Sequence, residues 1–460
     1  MNNKMEAETP LVFKRMIMAI SGILMLIGLP LSANLLCAMS SSYFQYSEML
    51  YSVFSCLAVL LTMGVGIAAF IHSNGSIQKK RSKILSMPPI PLLVGAFGLL
   101  LFLGLFFFNA NISEGLFFPP ILIVLAALPP LWSVAWFART DTMADLSTDE
   151  PILPTDNVIT EETKVDVTDD ANKNHITWRR GVMAFIGGAT IGVLVALILE
   201  IILPAIVLAL VFDLANVVLD SVRALFEQLA GFDIANALTN PGFIYVFILL
   251  AVIAPLAEEI AKPLALLPIL RRLNRKQAFL MGALAGAGFA AIENVIYAAS
   301  SYELWSGVLL IRSLGGALHP LGAGLMALAW RDVLCEEQGA WSNWLKRFAI
   351  AVGVHAVWNG GSLLVITFGG AGLFGELPAE IGTLGISAAG VTLAFLILLG
   401  ISALWIGRIF GHGESPESFL EDKNTDVSLA PSERTLAIWA LACLTAIVPI
   451  GIAGLSLWLR

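Results

Sequence analysis

Charge and cysteine are what this chain has least of. Only 13% of its 460 residues are charged while 58% are hydrophobic, whereas a soluble domain carries about 25% charged residues. That deficit excludes an ordinary soluble globular protein and leaves a polytopic membrane protein. The four cysteines form no Cys-x-x-Cys pair and no zinc-type cluster, which argues against a disulfide scaffold or a structural zinc module. Cys37 and Cys56 fall near one membrane face and could be bridged; isolated apolar cysteines are the plainer reading. No small-residue cleavage site follows a short apolar core near the N-terminus, so the residues from Met16 onward read as a retained span, not a removed signal peptide. Internal repeats are lacking too, and with them the inverted-repeat signature of many transporters. The net charge of −8 comes largely from one connecting segment. It names no partner, and nucleic acid is not expected.

What is present is a series of long apolar runs. A spanning helix needs about 20 apolar residues, and eleven such runs can be drawn: 16–38, 51–72, 91–109, 119–138, 182–211, 242–268, 278–300, 306–330, 347–368, 384–406 and 436–458. The expected fold is therefore an all-α polytopic integral membrane protein. Lys14, Arg15, Lys79, Lys80, Arg81, Lys83, Arg139, Arg179, Arg180, Arg271, Arg272, Arg275, Lys276, Arg331, Lys346, Arg347 and Arg408 all fall on one side if every span is real. The positive-inside rule then places the N-terminus in the cytoplasm and the C-terminus outside.

The chain divides by composition. Residues 1–140 form a four-helix membrane block. Residues 141–180 carry Asp145, Asp149, Glu150, Asp156, Glu161, Glu162, Asp166, Asp169 and Asp170 among Thr, Pro and Asn. Such a segment buries too little to offset its ordering entropy and reads as a disordered cytoplasmic linker. Residues 181–370 form the core of interest, and 371–460 a C-terminal two-helix block with a polar loop at 408–434. Residues 213–241 have charged and apolar residues at helix-like intervals and suggest an amphipathic external helix. Asn111-Ile112-Ser113 matches a glycosylation sequon in an external loop, though nothing argues for a eukaryotic secretory pathway. His175 and His412, in polar segments, receive no role.

The apolar cores of the first block hold no Asp, Glu, Lys or Arg and no interior His. The second block is different. Glu258, Glu259 and Lys262 occupy one span, Glu293 and Asn294 the next, Arg312 and His319 the third, His355 and Asn359 the fourth. Ionisable groups at membrane depth cost a few kcal/mol or more and mark function. On a helix Glu258 and Lys262 are i,i+4 neighbours and Glu259 and Lys262 are i,i+3. The lysine can neutralise one carboxylate, Glu258, and leave the other free for chemistry. His355 shares a face with Asn359, and Glu293 with Tyr297. Gly282, Gly286 and Ala290, with Gly315, Gly316, Gly322 and Gly324 around His319, allow close helix approach. Each of these residues also has a purely structural reading: a buried ion pair for Glu258 and Lys262, a snorkelling or charge-neutralising Arg312, packing aromatics in Tyr297 and Trp358, a helix–helix hydrogen bond from Asn294. Glu259, Glu293, His319 and His355 together are harder to account for that way, since buried carboxylates and histidines are the groups that exchange protons near neutrality.

Glu258-Glu259-x-x-Lys262, Phe289-x-x-x-Glu293-Asn294-x-x-Tyr297, the His319 span and His355-x-x-x-Asn359, in this order over residues 242–368, resemble the PrsW family of intramembrane proteases, which are distantly similar in motif style to the CAAX prenyl proteases. The resemblance implies peptide-bond hydrolysis within or at the edge of the lipid bilayer, on a membrane-anchored protein substrate. The best-known role in the family is site-one cleavage of an anti-sigma factor, a substrate that does not transfer automatically. Glu258, Glu259, Lys262, Glu293, Asn294, His319, His355 and Asn359 are the expected catalytic set. In a metal-free glutamic mechanism Glu259 takes the proton of water held against Glu293 or a histidine, while His355 and Asn359 donate to the oxyanion, worth roughly 3–4 kcal/mol per donor. No cofactor is then needed. The alternative is a zinc ion held by Glu293, His319 and His355. A proton- or ion-coupled transporter is the competing class, because similar buried chains build ion paths.

Overall fold

The computed structural model describes residues 11–39, 46–78, 85–109, 118–139, 176–210, 241–301, 304–369, 379–412, 438–439 and 441–443. Helix accounts for 91% of the structure, and the protein is an all-α integral membrane protein. The N-terminal helices are α1 (Leu11–Met39), α2 (Tyr46–Ile77), α3 (Ile90–Asn109) and α4 (Phe118–Ala138). Next comes α5, made of Trp178–Gly187, a π-helical turn Gly188–Gly192 and Val193–Leu210. In α6, Pro241–Ile248 leads through a π turn, Leu249–Ile253, into Ala254–Ala261. A 3₁₀ turn (Leu264–Leu266) and the one-turn α7 (Leu267–Leu270) precede α8 (Arg275–Ser300), α9 (Trp305–Leu314), α10 (Leu318–Leu334), α11 (Ala340–Leu364) and α12 (Ala379–His412).

The expected count of eleven spans is not confirmed. Among the described residues seven helices are long and apolar enough to cross a membrane, or eight if the bent pair α9 and α10 counts as one span. Two of the expected spans are broken for local reasons. The run 242–268 stops at Lys262 because Pro263 offers no N–H and restricts the residue before it. The run 306–330 bends by 46° between α9 and α10, where Gly315 and Gly316 interrupt the helix. The sidedness of the two termini rests on that odd count. The acidic linker, the sequon, most of the 213–241 and 408–434 segments and most of the last run, 436–458, lie outside the described residues. Cys56 is buried and carries no disulfide, so it is not joined to Cys37.

The centre of the molecule is α8. Asn274 caps it: its side chain accepts from Gln277 N at 2.8 Å, and Gln277 Oε1 accepts from Asn274 N at 3.3 Å, a reciprocal capping box. Its spanning window is 94% buried, whereas α3 and α12 present Leu92, Phe102, Val391, Leu398 and Trp405 outward, as lipid-facing helices do. Small residues let the neighbours close on α8. A Cβ on Gly286 would collide with the His319 carbonyl, one on Gly282 with the Ala323 carbonyl, and one on Gly288 with the Phe185 carbonyl. Helices α5 and α10 therefore pack backbone to backbone against the helix that carries Glu293 and Asn294.

Candidate active site

Glu258 and Glu259 lie on the last turns of α6, after a π turn, a local widening often found at functional sites. In that turn Ala254 N–H donates to Leu249 O, one residue further back than in an α-helix. The Leu250 carbonyl thereby loses its usual donor, and Pro255, next in line, has no N–H to offer. Asn359 Nδ2 of α11 donates to this orphaned carbonyl at 3.0 Å. Asn359 thus holds α11 against α6, and its amide is engaged with backbone; this departs from the expected oxyanion donor.

Lys262 is fully buried, with Nζ at 2.5 Å from Glu259 Oε1 and 3.3 Å from Glu258 Oε2. It sits over the Phe289 ring at 4.9 Å. The lysine serves both carboxylates, and the closer is Glu259, the reverse of the expected pairing. The helical spacing was right; which carboxylate it favours depended on where the histidines stand.

Those histidines decide the centre. His355 Nδ1 lies 3.0 Å from Glu259 Oε1, and His319 Nε2 lies 3.0 Å from Glu293 Oε2. Their other ring nitrogens turn toward Glu258: His355 Nε2 is 3.8 Å and His319 Nδ1 3.9 Å from Glu258 Oε2. The two rings are edge to face, with centroids 4.8 Å apart. Glu258 Oε2, His319 Nδ1 and His355 Nε2 are all buried and none has a hydrogen-bond partner. One ligand atom from each of these three residues lies within 4.8 Å of the others. Glu258 Oε2 has only its ion pair with Lys262, and the two ring nitrogens, inside a packed core, have no partner; lone pairs facing one point in this way are costly unless a further positive group sits between them. The donor set therefore fits a tetrahedral ion of the zinc type with one open position. The backing resembles that of a metal site too: His355 Nδ1 is hydrogen-bonded to Glu259 and His319 Nε2 stands 3.0 Å from Glu293, carboxylate partners of the kind that orient ligating rings. Glu293 occupies that backing position, not the ligand position expected for it.

Arg312 completes the arrangement. Its Nη2 is 2.7 Å from Glu293 Oε2, its Nε donates to Asn294 Oδ1, and its guanidinium lies over the Tyr297 ring at 4.4 Å. Asn294 Nδ2 donates to Ala126 O of α4 at 3.0 Å. All eight expected residues thus fall in or beside one buried cluster, but Asn294 and Asn359 face backbone carbonyls on its flanks. The sequence reading passed over Glu200 of α5, a lone acid in an apolar run that interacts electrostatically with Glu258 and Glu293. An ionisable residue within a span was itself the signal.

A helical membrane protein with a buried carboxylate–histidine centre fits the class of membrane-embedded hydrolases. Residues 177–383 match the sequence model of the PrsW family intramembrane metalloprotease. This part of the chain is a PrsW-type domain, and the protein is an intramembrane protease, a peptide hydrolase. Neither the search of curated proteins nor that of solved structures returned a match.

Proposed function

We propose that this protein cleaves membrane-anchored protein substrates at a metal centre whose ligands are Glu258, His319 and His355. The observation that carries this reading is the convergence of three buried ligand atoms that make no hydrogen bond, and the word metalloprotease in the matched family's description agrees with it. The expected absence of a cofactor gives way to the zinc alternative, with Glu258 in the place assigned to Glu293.

A zinc-type ion bound there would polarise the scissile carbonyl and lower the pKa of a water molecule. The chain's own residues do the rest. Glu259 and Glu293 hold His355 and His319 in the tautomers that leave Nε2 and Nδ1 for ligation. Lys262 and Arg312 balance the negative charge of the carboxylates, which would otherwise repel one another in a medium of low dielectric. Glu293 Oε1 is buried and without a partner, and it takes the proton of the attacking water. The C–N bond then breaks, and the same proton passes to the leaving amine. Burial of the cluster keeps bulk water out. The segments 1–140, 181–370 and 371–460 act as an N-terminal helical block, a protease core and a C-terminal block, with the N-terminus cytoplasmic and the C-terminus external. A place in regulated proteolysis or signalling fits such an enzyme.

The test is cleavage of a single-span membrane protein by the purified enzyme in liposomes, with zinc content measured alongside. Glu258→Gln is expected to lose both zinc and cleavage. Glu293→Gln should bind zinc roughly tenfold more weakly and, at saturating zinc, still lose cleavage by at least 100-fold, the size of a general-base contribution. Full cleavage by chelator-treated, metal-free enzyme would return the mechanism to the glutamic form with Glu259 as base.

A further inference from the structure

Helix α4 lies outside the matched domain of residues 177–383, yet it touches the active site at two points. Pro129 and Pro130 stand inside this helix. In a regular α-helix the carbonyl of residue 126 accepts from the N–H of residue 130, and proline has none. The Ala126 carbonyl is thus freed in a buried position, where an unsatisfied acceptor is costly. It receives Asn294 Nδ2 at 3.0 Å instead. The second contact is at Gly316, in the turn that leads to His319. A Cβ there would stand 3.1 Å from the backbone carbon and from Cβ of Pro129, so the turn rests directly on the proline pair.

From Asn294 the connections run inward. Asn294 Oδ1 accepts from Arg312 Nε. Arg312 Nη2 pairs with Glu293 Oε2 at 2.7 Å, and that oxygen lies 3.0 Å from His319 Nε2. We infer that the N-terminal helix block completes the active site, the Ala126 carbonyl released by Pro130 serving as the fixed point from which Asn294, Arg312 and Glu293 orient His319. Pro130 and Asn294 are positioning residues in this scheme, because they act on His319 through others. The effect on metal rests on the ligand reading proposed above; the anchoring itself does not.

The experiment uses the full chain in detergent or nanodiscs, with Pro130→Ala, Asn294→Ala, the two combined, Asn294→Asp and Pro120→Ala. Zinc affinity is read by chelator competition and site geometry by the visible spectrum of the cobalt form. Thermal unfolding of the metal-free proteins is read in parallel. In Pro130→Ala the restored N–H recaptures the Ala126 carbonyl, and zinc affinity is expected to fall roughly tenfold, the lower end for an outer-shell partner, with an altered cobalt spectrum. Asn294→Ala should do the same, and the double variant no more than either single one, as for two residues in one linkage. Asn294→Asp keeps the acceptor for Arg312 but not the donor to Ala126, so it should lose as much affinity; it tests the same bond without touching α4. Pro120→Ala, in the exposed first turn of α4 where no intrahelical carbonyl awaits its N–H, should match wild type. Wild-type affinity in Pro130→Ala or Asn294→Asp, or independent effects that multiply in the double variant, would overturn the inference. If the wild type binds no zinc, the metal reading fails by itself. The unfolding cycle then still decides the anchoring: less-than-additive shifts support it, and additive shifts sink it.

Discussion

Asn359 and Asn294 do the same work at opposite flanks of the cluster. Each meets a carbonyl that a proline has stranded, Leu250 O before Pro255 and Ala126 O before Pro130. In the interior of a membrane protein no water is at hand to satisfy such groups, so a side-chain amide does it. The expected oxyanion role of Asn359 and its observed structural one can be separated by its removal. Asn359→Ala should cost roughly 1–3 kcal/mol of stability, the penalty for a buried carbonyl left alone. It should not produce the 100- to 1,000-fold fall in turnover that follows loss of an oxyanion donor. Thermal unfolding and a single-turnover cleavage assay distinguish the two. Both asparagines were legible as polar residues out of place in apolar runs. Their acceptors were not, because a backbone carbonyl is orphaned only once the helix has formed with a proline or a π turn in it.

Among the elements, α8 and α10 determine where His319 stands. The glycine spacing read from the chain, Gly282 and Gly286, does mark their seam, and here sequence periodicity sufficed. Gly286→Ala places a methyl group against the His319 carbonyl and 2.7 Å from the Ala323 side chain. Overpacking of that kind costs about 1–3 kcal/mol, and it pushes His319 from its partners. A lowered melting temperature together with weaker zinc binding is expected. Gly307→Ala, on α9 where no atom lies within 4 Å of the added group, is the comparison and should be neutral or mildly stabilising. The same scale shows why the span count fell short. Hydropathy sees the run 242–268 as one helix, yet it ends at Lys262 before Pro263.

At the scale of the molecule two clusters of buried charged residues stand apart among the described residues. One is the candidate active site. The other sits at the far end of α10, where buried Asp332 accepts from Arg275 at 2.9 Å and from Arg347 at 2.5 Å, and Glu337 accepts from Arg275 and Arg331 at 2.8 and 2.6 Å. This network ties the ends of α8, α10 and α11 together. Asp332 lies thirteen residues from His319, about 20 Å along a helix. Asp332→Ala should therefore lower stability by roughly 3 kcal/mol, the low end for a broken buried pair since Arg275 is 40% exposed. Zinc affinity should stay within twofold of wild type. Unfolding measured beside metal titration checks both halves.

The residues by themselves determined the class of protein and the identity of its polar centre. Long apolar runs with charges confined to a few of them leave no other environment than a bilayer, and charges at that depth persist only with partners. Helical spacing placed Glu258 and Glu259 within reach of Lys262, because those contacts are local. Tertiary structure alone decided the rest: that Glu258 and not Glu293 faces both histidines, that Glu259 and Glu293 back them, and that α4 reaches the site from outside the protease domain. Such outcomes turn on the rotation of each helix about its axis and on bends at prolines and π turns. A change of about 100° per residue in facing swaps one adjacent carboxylate for the other, and no spacing in a single helix records where its neighbours will stand.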